Sequence, residues 1–342
     1  MTEAPTAVDP ALVEMMAAVF AEYRESHPPG VPPGKSADLW RRLDELGLVR
    51  LTGSEQTGGS GAGWYEAAEL LAAGARHGVR IPLAEHDLLA CWLLEANGTP
   101  GDGAVRTVCL LDDQGVANAV PWATGADRIV VVSQAGGAYR AADVGVDALG
   151  ITAGSNMIGE PRDTVVADPA TLPGVPVAAA LIAQLRLKSA LVRSIQVCAA
   201  LDRILELSIE HVSSRIQFGR PLSKFQAIQN LVADIAANAA LARAATETAL
   251  TAAVAGEWSA PHLDFLVAVA RSCAGHAASV VVRNAHQVHG AIGTTREHRL
   301  HEFTRAALAW RSEFGSVQYW DDQVTGAVLQ AGSDGLWSLI TG

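Results

Sequence analysis

From about residue 177 onward the chain is a succession of alanine- and leucine-rich segments with helical spacing, broken at two short runs. The first is Ser213–Gln226 (SSRIQFGRPLSKFQ) and the second is Gln287–Gly293 (QVHGAIG). Leu201, Leu205, Ile209 and Val212 fall on one face of a first helix, over about 177–212. Ile228, Leu231, Ile235 and Ala239 do the same on a second that ends near Gly256. A third helix is expected from Pro261, suited to a first turn, to Gly290, suited to a stop. A fourth is expected from Thr294, where Thr294 and Glu297 have capping-box spacing, through Leu300, Phe303, Ala307 and Trp310 to Gly315. Long helices with short connections make an up-and-down bundle. Side chains that share a corner then share one end of it.

Residues 1–100 read as shorter helices. Leu39, Leu43 and Leu46 keep helical spacing ahead of a stop at Gly47; further helices are expected over 65–75 and, after Pro82, over 84–95. The run Gly58–Gly63 matches neither phosphate-binding glycine pattern and reads as a flexible connector. After a linker containing Gly98, Pro100, Gly101 and Gly103, β-branched runs predict strands over 105–111, 127–133, 138–144 and 163–167, with Val130-Val131-Val132 the clearest. The expected fold is mainly α with a small antiparallel β middle domain: a helical domain over 1–100, a shortened β domain over 101–175 and a helical bundle over 176–342.

A net charge of −11 argues against nucleic acid or an anionic membrane as the main partner, since both select basic surfaces. No run of about 20 uncharged apolar residues is present, so no membrane span is expected. The start, MTEAPTAVDP, lacks the basic and apolar regions of a secretory signal. Cys91, Cys109, Cys198 and Cys273 are far apart and read as buried thiols, in keeping with a cytoplasmic protein.

None of the ten histidines has a glutamate three residues before it, so the di-metal pattern of helical bundles is missing. His298 and His301, one turn apart beside Arg296 and Arg299, read as a solvated polar face, and no metal site is expected. The corners carry more chemistry. Arg215 next to the start of a helix containing Gln226 suits a diphosphate, and Phe218 offers a flat face to a ring. In the second corner Gln287 supplies an amide, while Gly290 and Gly293 permit close backbone approach. The competing reading is two ordinary helix corners, with Arg215 capping a helix.

The pattern R-x-Q-F-G-x-P-L-x-x-F-Q-x-x-Q at Arg215–Gln229, followed by Q-V-H-G-A-I-G, resembles the acyl-CoA dehydrogenase family. Leu39–Leu48, Gly58–Trp64, Ile81–His86 and Val120–Val132 extend the resemblance over nearly the whole chain. It implies an α-β-α fold assembled as an oligomer, with FAD as cofactor and an acyl-CoA thioester as substrate. In that chemistry a carboxylate removes the α-proton and the flavin accepts hydride from the β-carbon. An electron-transfer flavoprotein is the family's usual acceptor. The resemblance also implies that Arg215, Phe218, Gln226, Gln287 and Gly290 contact FAD held mainly by a neighbouring subunit.

Three departures stand out. Ala291 replaces a usual glycine. The family's flavin-contacting segment has no counterpart between Leu111 and Val120. The positions of the usual catalytic base fall at Phe314 and near Ser189, leaving Glu313, one residue away, as the candidate base. A subunit of an unequal pair, of the kind that handles steroid-derived thioesters in bacterial lipid or steroid catabolism, is the leading expectation. A self-sufficient homomeric dehydrogenase using Glu313 and a non-catalytic helical scaffold are the alternatives.

Overall fold

The computed structural model describes residues 8–27 and 36–341; residues 1–7, most of the stretch read for a leader, lie outside it. The described chain forms two compact units, Val8–Lys188 and the residues from Ser189 onward.

The first unit opens with α1 (Pro10–Ser26), α2 (Ala37–Glu45) and α3 (Trp64–His77). The Ser36 side chain caps α2, Leu39 and Leu43 are buried, and Gly47 (φ 70°) stops the chain as the sequence suggested. The glycine run behaves differently from a flexible connector. Backbone bonds from Gly59, Ser60, Gly61 and Ala62 to Ser54, Arg50, Gly53 and Leu51 lace it to the preceding loop. A Cβ on Gly59 would lie 2.1 Å from the Gly53 carbonyl oxygen, so glycine serves close approach here.

The helix expected over 84–95 forms in two parts. A buried π-helical stretch, Ala84–Cys91, leads into α4 (Trp92–Ala96). The wider turn directs polar side chains inward: His86 Nδ1 accepts from the Arg106 amide at 3.0 Å, and Asp87 accepts from the Thr52 amide and hydroxyl at 2.9 and 3.0 Å. Burial pushes the Asp87 carboxyl up to about 6 against the lowering effect of those Thr52 bonds.

Seven strands follow: β1 (Arg106–Leu110), β2 (Val116–Pro121), β3 (Arg128–Ala135), β4 (Ala138–Gly145), β5 (Gly150–Thr152), β6 (Arg162–Val166) and β7 (Val175–Val177). They form two sheets, ordered β1-β3-β4-β7 and β2-β6-β5. Val130, Val131 and Val132 are all buried because β3 is central and covered on both faces, which explains the unbroken apolar run. The pairing is antiparallel as expected except for β1 with β3, which is parallel. Between them the chain crosses to the second sheet as β2 and returns, the crossover a parallel pair requires. The β1–β2 connection is tight: the Asp112 carboxylate accepts from the Gln114 and Val116 amides at 2.9 Å, and Gly115 (φ 75°) presses against the Ala167 carbonyl.

The bundle consists of α5 (Ala179–Ser214), α6 (Gln226–Ala255), α7 (Leu263–His289), α8 (Leu300–Trp310) and α9 (Val317–Thr341, broken at Gly332). Gly256 and Gly290 end α6 and α7 as expected. The capping box at Thr294 does not form. Its hydroxyl donates to the Ala291 carbonyl within a turn that prolongs α7, and α8 starts at Leu300, whose amide is met by His298 Nδ1 at 3.1 Å. By length and composition residues 263–294 could cross a membrane, but 61% of their most apolar stretch is buried, which marks α7 as a core helix of the bundle.

At the end of the first unit Lys188 is 1% exposed, with Nζ 4.6 Å from the Trp64 ring centre and 4.5 Å from that of Trp92. The indole faces favour the cation by about 2 kcal/mol. Burial outweighs them and pulls the ammonium from 10.5 down to about 6. The unfolded chain therefore binds the extra proton between those values, and stability should rise with pH across them, by up to about 1.4 kcal/mol per unit. The urea midpoint is expected to increase between pH 7 and 9 for the native chain, and that increase is lost in Lys188→Met.

Candidate functional site

The first corner is a two-strand hairpin, β8 (Ile216–Gln217) and β9 (Arg220–Pro221), with Phe218 (φ 50°) and Gly219 (φ 77°) at its tip. Two successive positive φ angles are the signature of a primed hairpin turn, and a phenylalanine seldom adopts one. The outcome is a ring held 91% exposed, edge-on to Phe225 at 6.1 Å, while the Arg220 guanidinium covers Phe225 at 4.2 Å. Arg215 is fixed through its backbone, donating to the His211 carbonyl and accepting from the Leu222 amide, both at 2.9 Å; the residue is exposed. Gln226 begins α6, is exposed and donates to Asn230 at 3.0 Å.

In the second corner Gln287 lies on the exposed side of the last turn of α7, and Gly290 (φ 63°) ends the helix with nothing within 4 Å of a Cβ built there. Gly293 has a packing role instead, since its Cβ would come 2.8 Å from that of His289. The two corners meet at one end of the bundle. His211, in the last turn of α5, stacks on His289, the last residue of α7, with ring centres 4.5 Å apart. Arg215, Phe218, Gln226, Gln287 and Gly290 thus belong to one exposed end.

Glu313 is elsewhere. Its carboxylate is 15% exposed and accepts from Nε of Arg193 at 2.7 Å, where Arg193 is 2% exposed on α5. Arg193 lies 18 residues before His211 (211 − 193), about 27 Å along that helix. Nη2 of Arg271, buried on α7, donates to the Glu313 and Arg311 carbonyls at 2.7 and 3.0 Å. Burial, then the neighbouring Arg193 charge, pulls the Arg271 guanidinium down to about 10, with Glu313 opposing. One carboxylate therefore balances two buried guanidiniums, and removing a proton from a substrate would cost that pairing. Phe314 (φ 54°) lies under Arg193, with its ring centre 5.1 Å from the guanidinium carbon. Ser189 is buried and carries no carboxyl. The sequence could not announce these cations, because Arg193 and Arg271 sit inside otherwise apolar helices with no local acid to mark them.

FAD needs a cation for its diphosphate and flat or hydrogen-bonding surfaces for its rings. The exposed corner end has that donor set in Arg215, Phe218, Gln226 and Gln287, with Gly290 allowing approach, and fits part of the cofactor. The first unit fits less well: residues 111–115, where the flavin-contacting segment would be inserted, are closed by the Asp112 turn and by Gly115 against Ala167.

The architecture and corners define an acyl-CoA dehydrogenase, and comparison with known proteins agrees. Residues 7–101 match the acyl-CoA dehydrogenase N-terminal domain and residues 174–327 its C-terminal domain. The chain belongs to the acyl-CoA dehydrogenase family, oxidoreductases that act on CH–CH bonds of acyl-CoA substrates. It is 28% identical over 282 residues to the acyl-CoA dehydrogenase IpdE2 of Mycobacterium tuberculosis, covering 80% of this chain and 81% of that one. Its fold is similar to a chain of the ChsE4–ChsE5 complex from Mycobacterium tuberculosis (TM-score 0.83, 20% identity, 97% of this chain and 100% of that one). It is also similar to a chain of a Tcur3481–Tcur3483 steroid ACAD variant (TM-score 0.82, 19% identity, 94% and 97%).

The Arg193–Glu313 geometry yields a stability prediction. Glu313→Gln should lower folding stability by roughly 3 kcal/mol, the low end for breaking a buried pair because the carboxylate is partly exposed. Chemical denaturation of the purified variant checks this; an unchanged midpoint would remove the counter-ion role.

Proposed function

We propose that this chain is one subunit of an unequal pair that dehydrogenates an acyl-CoA thioester at its α,β-bond. In this reading its bundle corners complete an FAD site held mainly by the partner subunit. The observation that carries the reading is an asymmetry. The residues suited to a neighbour's FAD share one exposed end, whereas the segment suited to the chain's own flavin is replaced by the tight 111–115 turn. The two solved complexes above each pair two differently named chains, and one of them is a steroid ACAD, which supports a bulky, steroid-derived acyl group as the substrate class.

FAD, when bound, supplies the hydride acceptor. The roles of this chain's residues follow from their chemistry. The Arg215 guanidinium neutralises and orients the diphosphate, and the Phe218 ring covers a flat portion of the cofactor and keeps water from it. Gln226 and Gln287 offer amide hydrogen bonds, and Gly290 leaves room where a side chain would stand. The proton-abstracting carboxylate comes from the partner, and an electron-transfer flavoprotein takes the electrons onward. A homomeric enzyme with Glu313 as base is the second reading; its proximity to the usual base position favours it and its bond to Arg193 opposes it. A scaffold without chemistry would leave the exposed cation and ring of the first corner unexplained.

The test is Arg215→Ala in the complex of this chain with the acyl-CoA dehydrogenase subunit that co-purifies with it. Loss of a charge-assisted contact worth about 1.5–3 kcal/mol should weaken FAD retention by roughly 10- to 100-fold while the subunit ratio stays unchanged. Flavin content and turnover unaffected by the substitution would favour the scaffold. Absence of any unlike subunit would favour the homomer.

A further inference from the structure

Beneath the corner end lies a feature the cofactor reading does not use. His211 from α5, His289 from the end of α7 and His298 from the segment before α8 each offer a ring nitrogen, and these nitrogens all lie within 4.8 Å of one another. The rings of His289 and His298 are 4.7 Å apart and those of His211 and His298 6.1 Å. His301, the neighbour that the sequence paired with His298, instead bonds the His298 carbonyl.

The hydrogen bonds indicate which nitrogens can act as ligands. His289 Nδ1 meets the Ala285 carbonyl at 2.8 Å and so carries the proton, leaving Nε2 with a free lone pair. That Nε2 is buried and meets no partner within hydrogen-bonding geometry, although the Leu207 carbonyl lies close enough to the ring to favour its protonated form. A buried acceptor left unmatched costs about 1–3 kcal/mol, which a bound cation would remove. A carbonyl orienting one imidazole nitrogen while the other faces a metal is the usual arrangement around metal-bound histidine. Nδ1 of His298 accepts from the Leu300 amide at 3.1 Å, a bond the ring gives up when either of its nitrogens binds an ion. His211 and His298 are partly exposed, which gives an ion a way in.

We propose that His211, His289 and His298 form a binding site for a divalent first-row transition ion of the zinc class, clasping the two cofactor corners together. Three neutral imidazoles suit zinc, cobalt, nickel or copper better than calcium or magnesium, and leave a fourth position for water. Tetrahedral coordination with bonds of 2.0–2.1 Å sets nitrogens about 3.3 Å apart, so the cluster must contract on binding. The ion is structural in this assignment: it joins α5, α7 and the start of α8, and does not touch the acyl substrate.

The test uses the full chain, stripped with a chelator and freed of any affinity tag, titrated with Co²⁺. One ion per chain with the intense visible absorption of tetrahedral cobalt is expected, displaced by Zn²⁺. His211→Asn and His298→Asn should each weaken binding at least about 100-fold. The asparagine at 298 keeps an acceptor for the Leu300 amide, so the variant retains that cap. The absence of tetrahedral bands in the wild-type chain would overturn the site. Bands of equal strength in both variants would place the ion elsewhere and overturn it too.

Discussion

The bundle depends on a buried charge knot. Arg193 of α5 and Arg271 of α7 are both removed from water, and one carboxylate, that of Glu313, bonds the first and acts electrostatically on the second. Buried guanidiniums are tolerated only when their hydrogen bonds and charge are met. Arg271 meets part of this demand with the carbonyls at the α8–α9 corner, and Arg193 meets it with Glu313 and Gln196. Three elements are thereby fixed in register: α5, α7 and the corner after α8. That register brings the last turns of α5 and α7 side by side at the opposite end, where His211 stacks on His289. The two corners are adjacent because the helices carrying them are locked far from the corners themselves.

This separation clarifies Glu313. Its place in the sequence, one residue from the usual base position, suggests catalysis, whereas its bonds suit a counter-ion. The same residue cannot easily do both. A base must exchange its proton repeatedly, and each protonation here would remove the charge that Arg193 and Arg271 meet at Glu313. In the first unit a five-residue turn joins β1 to β2, where the family resemblance implies a flavin-contacting segment. Both departures lie on the side of the chemistry that a partner could supply. The part that is kept, the exposed corner end, is the part that a partner could use.

Much of this was legible in the sequence where local signals suffice. Apolar spacing located the long helices, Gly256 and Gly290 marked real stops, and the valine run announced the central strand. The Arg215–Gln229 pattern and QVHGAIG marked the corners because Gly219, Pro221, Gly290 and Gly293 interrupt the helical spacing there. What escaped was non-local. The glycine run 58–63 looked flexible because composition does not reveal that Gly59 must fit against the Gly53 carbonyl. The parallel β1–β3 pair was hidden because the intervening strand joins another sheet. Lys188, Arg193 and Arg271 carry no mark of burial, since the Trp64 and Trp92 rings, the Glu313 carboxylate and the carbonyls after α8 that they meet lie far away in the sequence. The three histidines are spread over 87 positions (298 − 211), and only the packing of α5 against α7 gathers them.

The central claim is that this chain supplies half of a flavin site and holds no complete one. Flavin absorbance per chain, measured for the chain purified alone and again with its unlike partner, tests it most directly. The account predicts a colourless isolated chain, with FAD appearing only when the partner is present. Stoichiometric FAD on the isolated chain would contradict it.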